Sequence, residues 1–463
     1  MIIRKSNLEL LCLNSRFQLK FILFTVIISS LLYYSEIFAI NEIDGNKFNN
    51  NNNNMIASDL VFSNVTNITN NSKDSVYAQI VANANNVYVV WQESVTQNSY
   101  ENNYDIYFKK SDDNGNTFNK PINLSNNSGF SEHPQIAVSK NGIIFIVWAD
   151  NTDSNNTEIM FTKSMDNGIT FSKVINLSNN SQNSNNQEIS AFDENVYVVW
   201  QDIDSANFYG NKINEIKKEP LSSIMFKASS DTGKTFNASI ELANNTKDAY
   251  PKVNSYKEHV YVVWNNENGD SNSSSSSAID DEYKGLFFIK SSDKGNNFGN
   301  SIRIAHYNFG ESQIAVNDNE VFIVWGGLHA KNINYIYVVQ SDDNGTAFTD
   351  PYIIAEKVMG AEKKKDDKYK INSPSNVEIP INTPAYIVWQ DKISQENQDI
   401  FITPNIKNDM QYSKILNLSN NTGISECPSI AISKNYIYIV WEDITPGNHE
   451  ILFTRGSIPY RSS

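Results

Sequence analysis

The chain has 463 residues, 40% of them hydrophobic and 12% aromatic, which is enough apolar material for a large core and too much for wholesale disorder. Its formal net charge is −15, with five arginines among 37 basic residues, so the basic footprint of a nucleic-acid binder is missing and no nucleic-acid partner is expected. Two cysteines support neither a disulfide framework nor a Cys-ligated zinc site, and a single apolar run longer than a dozen residues argues against a polytopic membrane protein.

That run, residues 21–34 (FILFTVIISSLLYY), follows Arg4, Lys5, Arg16 and Lys20 and precedes the small residue Ala39. A positive flank, a short apolar segment and a small exit residue predict a secretory signal over residues 1–39 and a secreted or cell-surface protein. The alternative is an uncleaved membrane anchor, because the basic flank is long; this segment is the only expected contact with a membrane. Cys12 stands on the wrong side of the run for a lipoprotein cysteine, and cleavage after Ala39 leaves Cys427 without a partner for a disulfide. Cleavage also removes four basic and two acidic residues, moving the charge to about −17. Residues 40–58 form an Asn-rich linker without periodicity, to which no fold is assigned.

From residue 59 onward the sequence repeats. All seven tryptophans sit in one motif: VYVVWQE ending at Glu93, IFIVWAD at Asp150, VYVVWQD at Asp202, VYVVWNN at Asn266, VFIVWGG at Gly327, AYIVWQD at Asp391 and IYIVWED at Asp443. Each is a continuous β-branched and aromatic run, the pattern of a strand buried on both faces. A short strand precedes it (PQIAV, 134–138), another follows (EIMFTKS, 158–164), and a turn leads to a fourth (TFSKVINLS, 170–178). Four short strands repeated at this period predict an all-β, seven-bladed propeller of four-stranded antiparallel blades over 59–463. The seventh repeat ends after its third strand (EILFTRG, 450–456), while FSNVTNITNNS (62–72) matches the fourth strand of repeat two, FSKVINLSNNS (171–181). The N-terminal strand is therefore expected to complete the last blade and remove its open edge.

Between strands three and four a second motif recurs: SDDNGNTF (111–118), SMDNGITF (164–171), SSDTGKTF (229–236), SSDKGNNF (291–298) and SDDNGTAF (341–348). Asp113, Asp166, Asp231, Asp293 and Asp343 can bond backbone N–H groups across a hairpin turn, and Gly115, Gly168, Gly233, Gly295 and Gly345 supply the positive φ it needs. Phe118 and its equivalents anchor the fold-back in the core. An EF-hand calcium loop is excluded by ligand spacing. The pattern S-x-D-x-G-x-T-F resembles the Asp-box, or bacterial-neuraminidase repeat, of the sialidase-type propellers, over roughly residues 59–456. The fourth copy has Asn297 and the fifth Ala347 where the pattern has Thr, and repeats six and seven carry no copy.

The resemblance implies that the boxes are structural and lie on the face away from the active site. It also implies, for a sialidase, three arginines clamping the substrate carboxylate, a Tyr–Glu nucleophile pair and an Asp acid/base. Beyond residue 39 only Arg303, Arg455 and Arg461 remain, and the family's Phe-Arg-Ile-Pro element is missing before the first box; Ser301-Ile302-Arg303-Ile304 follows the fourth box instead. No arginine triad can be placed residue by residue, and fold alone does not establish activity.

In such a blade the strand-two ends point to the face opposite the boxes. Glu93, Asp150, Asp202, Asp391 and Asp443 are expected to ring that face, with Asn266 and Gly327 at the two remaining positions and Glu132, Glu311 and Glu426 added from blade-to-blade loops. A negative face repels a sialate anion and favours cations or basic partners. Two readings of the ring stand side by side: caps of each strand-two turn, or a site for calcium or a basic partner. The longest excursions, 203–223 and 265–285 (the latter with SNSSSSS, 271–277), overhang the same face, where binding is usually carried. The Lys363–Lys370 stretch reads as a solvated loop. His133, His259, His306, His329 and His449 share no spacing and suggest no metal constellation, and fourteen N-x-[ST] sequons, Asn67, Asn123, Asn176 and Asn417 among them, are glycosylation candidates in an exported chain.

The leading expectation is an exported, monomeric binding propeller with a glycan or protein ligand on the acidic loop face and no cofactor other than calcium. The alternatives are a diverged glycoside hydrolase of the sialidase superfamily, since two acids at fixed separation suffice for that chemistry, and a structural cell-envelope protein.

Overall fold

A computed structural model describes residues 60–458, apart from 96–102, 153–155, 204–220, 267–283, 307–311, 330–332, 357–373, 379–385, 395 and 405–414. The chain divides into residues 1–58 and a compact unit, Asp59–Ser463. The expected signal and linker, most of the two long excursions (204–220 and 267–283), the lysine-rich stretch, Glu311 and Arg461 thus lie outside the described residues.

The compact unit is all-β, as the repeat predicts. Blade 1 runs through Ser75–Asn83, Asn86–Ser94, Tyr104–Ser111 and Ile122–Asn123, each strand antiparallel to the next. Blade 2 repeats the order with Ser131–Val138, Ile144–Asp150, Glu158–Ser164 and Ile175–Asn176, and blades 3 to 6 follow the same plan as far as Leu416–Asn417. Blade 7 has three strands from its own repeat: Ser425–Ser433, Tyr436–Asp443 and Glu450–Ser457. Its fourth comes from the other end of the chain, where Val61–Phe62 pairs with Ser457 and Gly456, and Thr66–Asn67 pairs with Phe453 and Leu452. The first strand of each blade packs against the first strands of both neighbours, and the series closes from blade 7 to blade 1.

Each blade is sandwiched between two others, which is why its second strand is apolar on both sides instead of alternating. Val87, Tyr88, Val89, Val90 and Trp91 are all buried, as are their counterparts around the ring among the described residues. The core is accordingly seven apolar clusters, each shared by two adjacent blades. Val89 and Trp91 of blade 1 meet Val440 and Phe453 of blade 7 in one of them.

The S-x-D-x-G turns are built as the residue types predict. Asp166 accepts the Thr170 N–H (2.9 Å), the Thr170 hydroxyl (2.6 Å) and the Ser164 hydroxyl (2.7 Å), while Ser164 Oγ accepts the Gly168 N–H at 2.8 Å. Gly168 has φ 78°, and a Cβ there would lie 2.6 Å from Phe108 Cζ of the preceding blade. Phe171 meets that same ring edge-on, with centroids 4.9 Å apart. Blade 1 repeats this against Phe453 of blade 7, with Phe118 at 5.1 Å. The turn's Gly and Phe therefore seal a blade against its predecessor, a role beyond the expected fold-back within one blade.

Donors to these aspartates stabilise the charged form. The Thr170 hydroxyl and N–H hold Asp166 far below the usual carboxylate range, and the Asn297 amide and N–H hold Asp293 at about 2. A depressed folded pKa contributes stability above the unfolded value near 4 and loses it as pH falls through the folded values. The melting temperature should therefore drop between about pH 4 and pH 2, and the drop should be shallower in Asp166→Asn/Asp231→Asn, whose turns no longer titrate. Identical melting profiles over that window would show that the turns do not control acid stability.

Candidate functional site

The acids ending the VW-x-[DE] motifs stand at equivalent places on four blades, and there they are buried. Asp150 accepts the Trp148 indole N–H (3.0 Å), the Ser131 hydroxyl (2.7 Å), the Asn127 amide (2.8 Å) and the Thr152 N–H (2.9 Å). Asp443 takes the same set from Trp441 (3.1 Å), Ser425 (2.8 Å), Asn421 (2.7 Å) and Thr445 (2.8 Å). Asp202 and Glu93 have their own Trp, Ser and Asn donors, and burial still raises the Asp202 pKa. The donors are mostly side chains, not the turn N–H groups expected of caps. Asn266 accepts the Lys247 N–H at 3.1 Å, while Asp391 is partly exposed and accepts the Lys392 N–H at 2.8 Å.

The asparagine donors belong to a device the sequence carries openly: N-[LI]-[ST]-N-N-[ST] at 67–72, 123–128, 176–181 and 417–422. Asn123 Nδ2 and Ser125 Oγ donate to Asp105, at the start of the third strand of blade 1 (2.8 and 2.9 Å), while Asn127 donates to Asp150 of blade 2. The copy at 67–72 joins Glu450 of blade 7 to Glu93 of blade 1, and the copy at 417–422 joins Asp399 of blade 6 to Asp443 of blade 7. The sequon asparagines Asn123 and Asn417 spend their amide on these acids, so a glycan there would displace a latch between blades.

At the axial end of the same face the first strands bulge. Tyr77, His133, Asn186 and Cys427 sit at the bulges of blades 1, 2, 3 and 7 and Tyr250 just before the first strand of blade 4, each with φ between 40° and 55°. Tyr77 and Tyr250 are 42% and 37% exposed, and the His133 ring packs against Tyr77 at a tilt of 60°, with centroids 4.5 Å apart. Below them lies a cavity of about 260 Å³ among the first strands, lined by Gln79, Gln135, Glu188, Lys252 and Gln313, with Lys252 and Glu188 paired at 3.1 Å.

In blades 1, 6 and 7 the residue after the Trp holds the bulge of the next blade. Gln92 Oε1 accepts the His133 N–H (2.7 Å), Gln390 Oε1 the Cys427 N–H (2.5 Å), and Glu442 Oε1 the Tyr77 N–H (2.5 Å). Glu442 is buried, and desolvation together with the nearby Glu426 charge pushes its pKa up to about 8, against the opposing pull of the Tyr77 N–H and the Cys427 thiol. Partial burial and the charges of Cys427, Glu442, Glu426 and Glu132 push the Tyr77 phenol up to about 12. The structure thus gathers Glu132 and Glu426 of the expected acidic face beside Tyr77, His133, Cys427 and Glu442. It also brings His449 within reach of Glu442 and Glu426, where histidine spacing alone suggested no metal constellation. Aligning the seven repeats residue by residue marks these positions: Glu442 is the one acid among Gln, Ala, Gln, Asn, Gly, Gln and Glu after the tryptophans.

No protein-family model matches the chain, and no curated protein does. Solved structures do. A Trypanosoma rangeli sialidase in complex with a difluoro-KDN superposes with TM-score 0.45 and 10% identity over 82% of this chain and 53% of that one. The chain thus spans about half the length of that enzyme. A protein of unknown function from Dyadobacter fermentans matches with TM-score 0.45 and 12% identity, covering 85% and 99% of the two chains. The NanB sialidase of Streptococcus pneumoniae matches with TM-score 0.44 and 12% identity, covering 86% and 70%.

Proposed function

We propose that this chain is an exported, secreted or cell-surface propeller that binds a glycan at the axial mouth between blades 7, 1 and 2, without cleaving it. The observation that carries this reading is the group of exposed rings, Tyr77 and His133, held on bulged first strands beside Glu132 and Glu426. Flat rings with a few polar groups around them are what a small-ligand site requires. The carboxylates favour neutral or basic sugars over sialate. Five turns resembling Asp-boxes support a propeller of the sialidase type, and the apolar run 21–34 supports export.

Three facts support a non-catalytic role. Glu442, the acid whose pKa near 8 would suit a general acid, is 3% exposed and tied to the Tyr77 backbone. Arg455 spends a guanidinium N–H on the Asn114 carbonyl of a box turn, at 2.8 Å. Arg303 lies on the outer, fourth strand of blade 4 and faces the Lys284 carbonyl. A protein segment is the competing ligand, and a hydrolase is the second reading because Glu426 and Glu442 stand opposite one another on a strand pair and such enzymes need two acids.

A glycan array and a fluorogenic glycosidase panel on the purified chain separate these readings. Binding of one glycan class, weakened at least about tenfold by Tyr77→Ala with no turnover, is the expected result. Turnover abolished by Glu426→Gln would replace it with the hydrolase reading.

A further inference from the structure

Glu442 is an anomaly within its own repeat. Its task at the blade joint, accepting the N–H of the next blade's bulge, is done by a neutral glutamine in blades 1 and 6. The glutamate adds a buried ionisable carboxyl that the joint does not need. Directly across the ladder from it stands a second acid, Glu426, and like charges opposite one another destabilise a strand pair. No lysine or arginine is paired with Glu442 among the described residues. The third member is His449, at the end of the strand-two to strand-three turn, whose Nδ1 is buried without a hydrogen-bond partner and lies 4.0 Å from Glu442 Oε2. One donor atom from each of Glu426, Glu442 and His449 falls within 4.8 Å of the others, and the Cys427 thiol bonds Glu442.

We propose that Glu426, Glu442 and His449 bind one divalent transition-metal ion of the zinc type. An imidazole nitrogen with two carboxylates suits zinc or its first-row neighbours, whereas calcium and magnesium take shells of oxygens. A metal takes the place of the Glu442 proton, offsets the charge the two carboxylates then carry, gives the orphaned His449 nitrogen a partner and explains why a glutamate stands where glutamine suffices. Tetrahedral donors at about 2.0–2.1 Å from zinc lie roughly 3.4 Å apart, so the three side chains draw in slightly on binding. Three protein ligands leave a fourth position for water or a ligand group. The site adjoins the axial mouth and shares Glu426 with it, but a titration with metal alone reads it whatever the mouth binds.

The test is isothermal titration of the chelator-treated full chain with zinc, calcium and magnesium, alongside Glu442→Gln and His449→Ala. Glu442→Gln keeps the acceptor for the Tyr77 N–H, as Gln92 and Gln390 do, so the variant retains the blade joint. Wild type is expected to bind one zinc, gain thermal stability from it, and give a visible cobalt(II) spectrum of low coordination number. Both variants should weaken zinc at least about tenfold. Absence of zinc binding by wild type, affinity unchanged in both variants, or calcium binding as tight as zinc would each overturn the proposal.

Discussion

Removing residues 59–72 should abolish cooperative folding or lower the melting temperature by more than about 10 °C. The segment contributes Ile68, buried in the cluster between blades 7 and 1, and the partly buried Phe62, packed between blades 6 and 7. Truncating one such aliphatic side chain costs about 2–5 kcal/mol. It also carries Thr69 and Asn71, whose hydroxyl, N–H and amide serve the buried acids Glu450 and Glu93. Each buried acid stripped of donors adds about 1–3 kcal/mol, so the total approaches the whole stability of an ordinary domain. Deletion further exposes Glu450–Ser457 as an open edge. A synthetic peptide of residues 59–72 should restore much of the loss by adding itself as the missing strand. A truncated chain that melts like its parent would refute the closure.

Asp443→Ala should cost about 3–5 kcal/mol, measured by denaturant unfolding. The substitution leaves the Trp441 indole, the Ser425 hydroxyl, the Asn421 amide and the Thr445 N–H without their common acceptor, inside a site of zero exposure. Asp391→Ala, the same step of blade 6 but partly exposed, should cost less than about 1 kcal/mol. Equal losses at the two positions would mean that the latch between blades contributes nothing beyond an ordinary strand end. Because the latched acids are already supplied with donors, their charge is offset without an added cation, and the partly exposed acids Glu132 and Glu426 are the ones left to act on a ligand or a metal.

Much of this molecule was legible in one dimension because a blade is a local object. Strands one to four of a blade follow one another along the chain, so seven [VI]-V-W runs and five S-x-D-x-G turns suffice to read seven blades. Even the closure could be read, since residues 62–72 repeat residues 171–181 almost position for position. What holds one blade to the next is different in kind. Gly115 rests on Phe453, Asn71 bonds Glu93 while serving Glu450, and Glu442 holds the Tyr77 backbone across the closure.

The N-[LI]-[ST]-N-N-[ST] copies show the limit most clearly. As sequence they are sequons and turn formers; only the ring's curvature sets the fifth residue against the next blade's acid. The same holds for Glu426, Glu442 and His449, which share no sequence spacing and meet because the bulged first strand and the strand-two end of blade 7 are paired in register. The sequence by itself determined the repeat, the strands, their order and the strand that closes the ring, because these depend on local hydrophobic pattern and turn chemistry. Only the tertiary structure decided which acids are satisfied and which are left facing one another, because that depends on distances between chain segments that pattern does not encode.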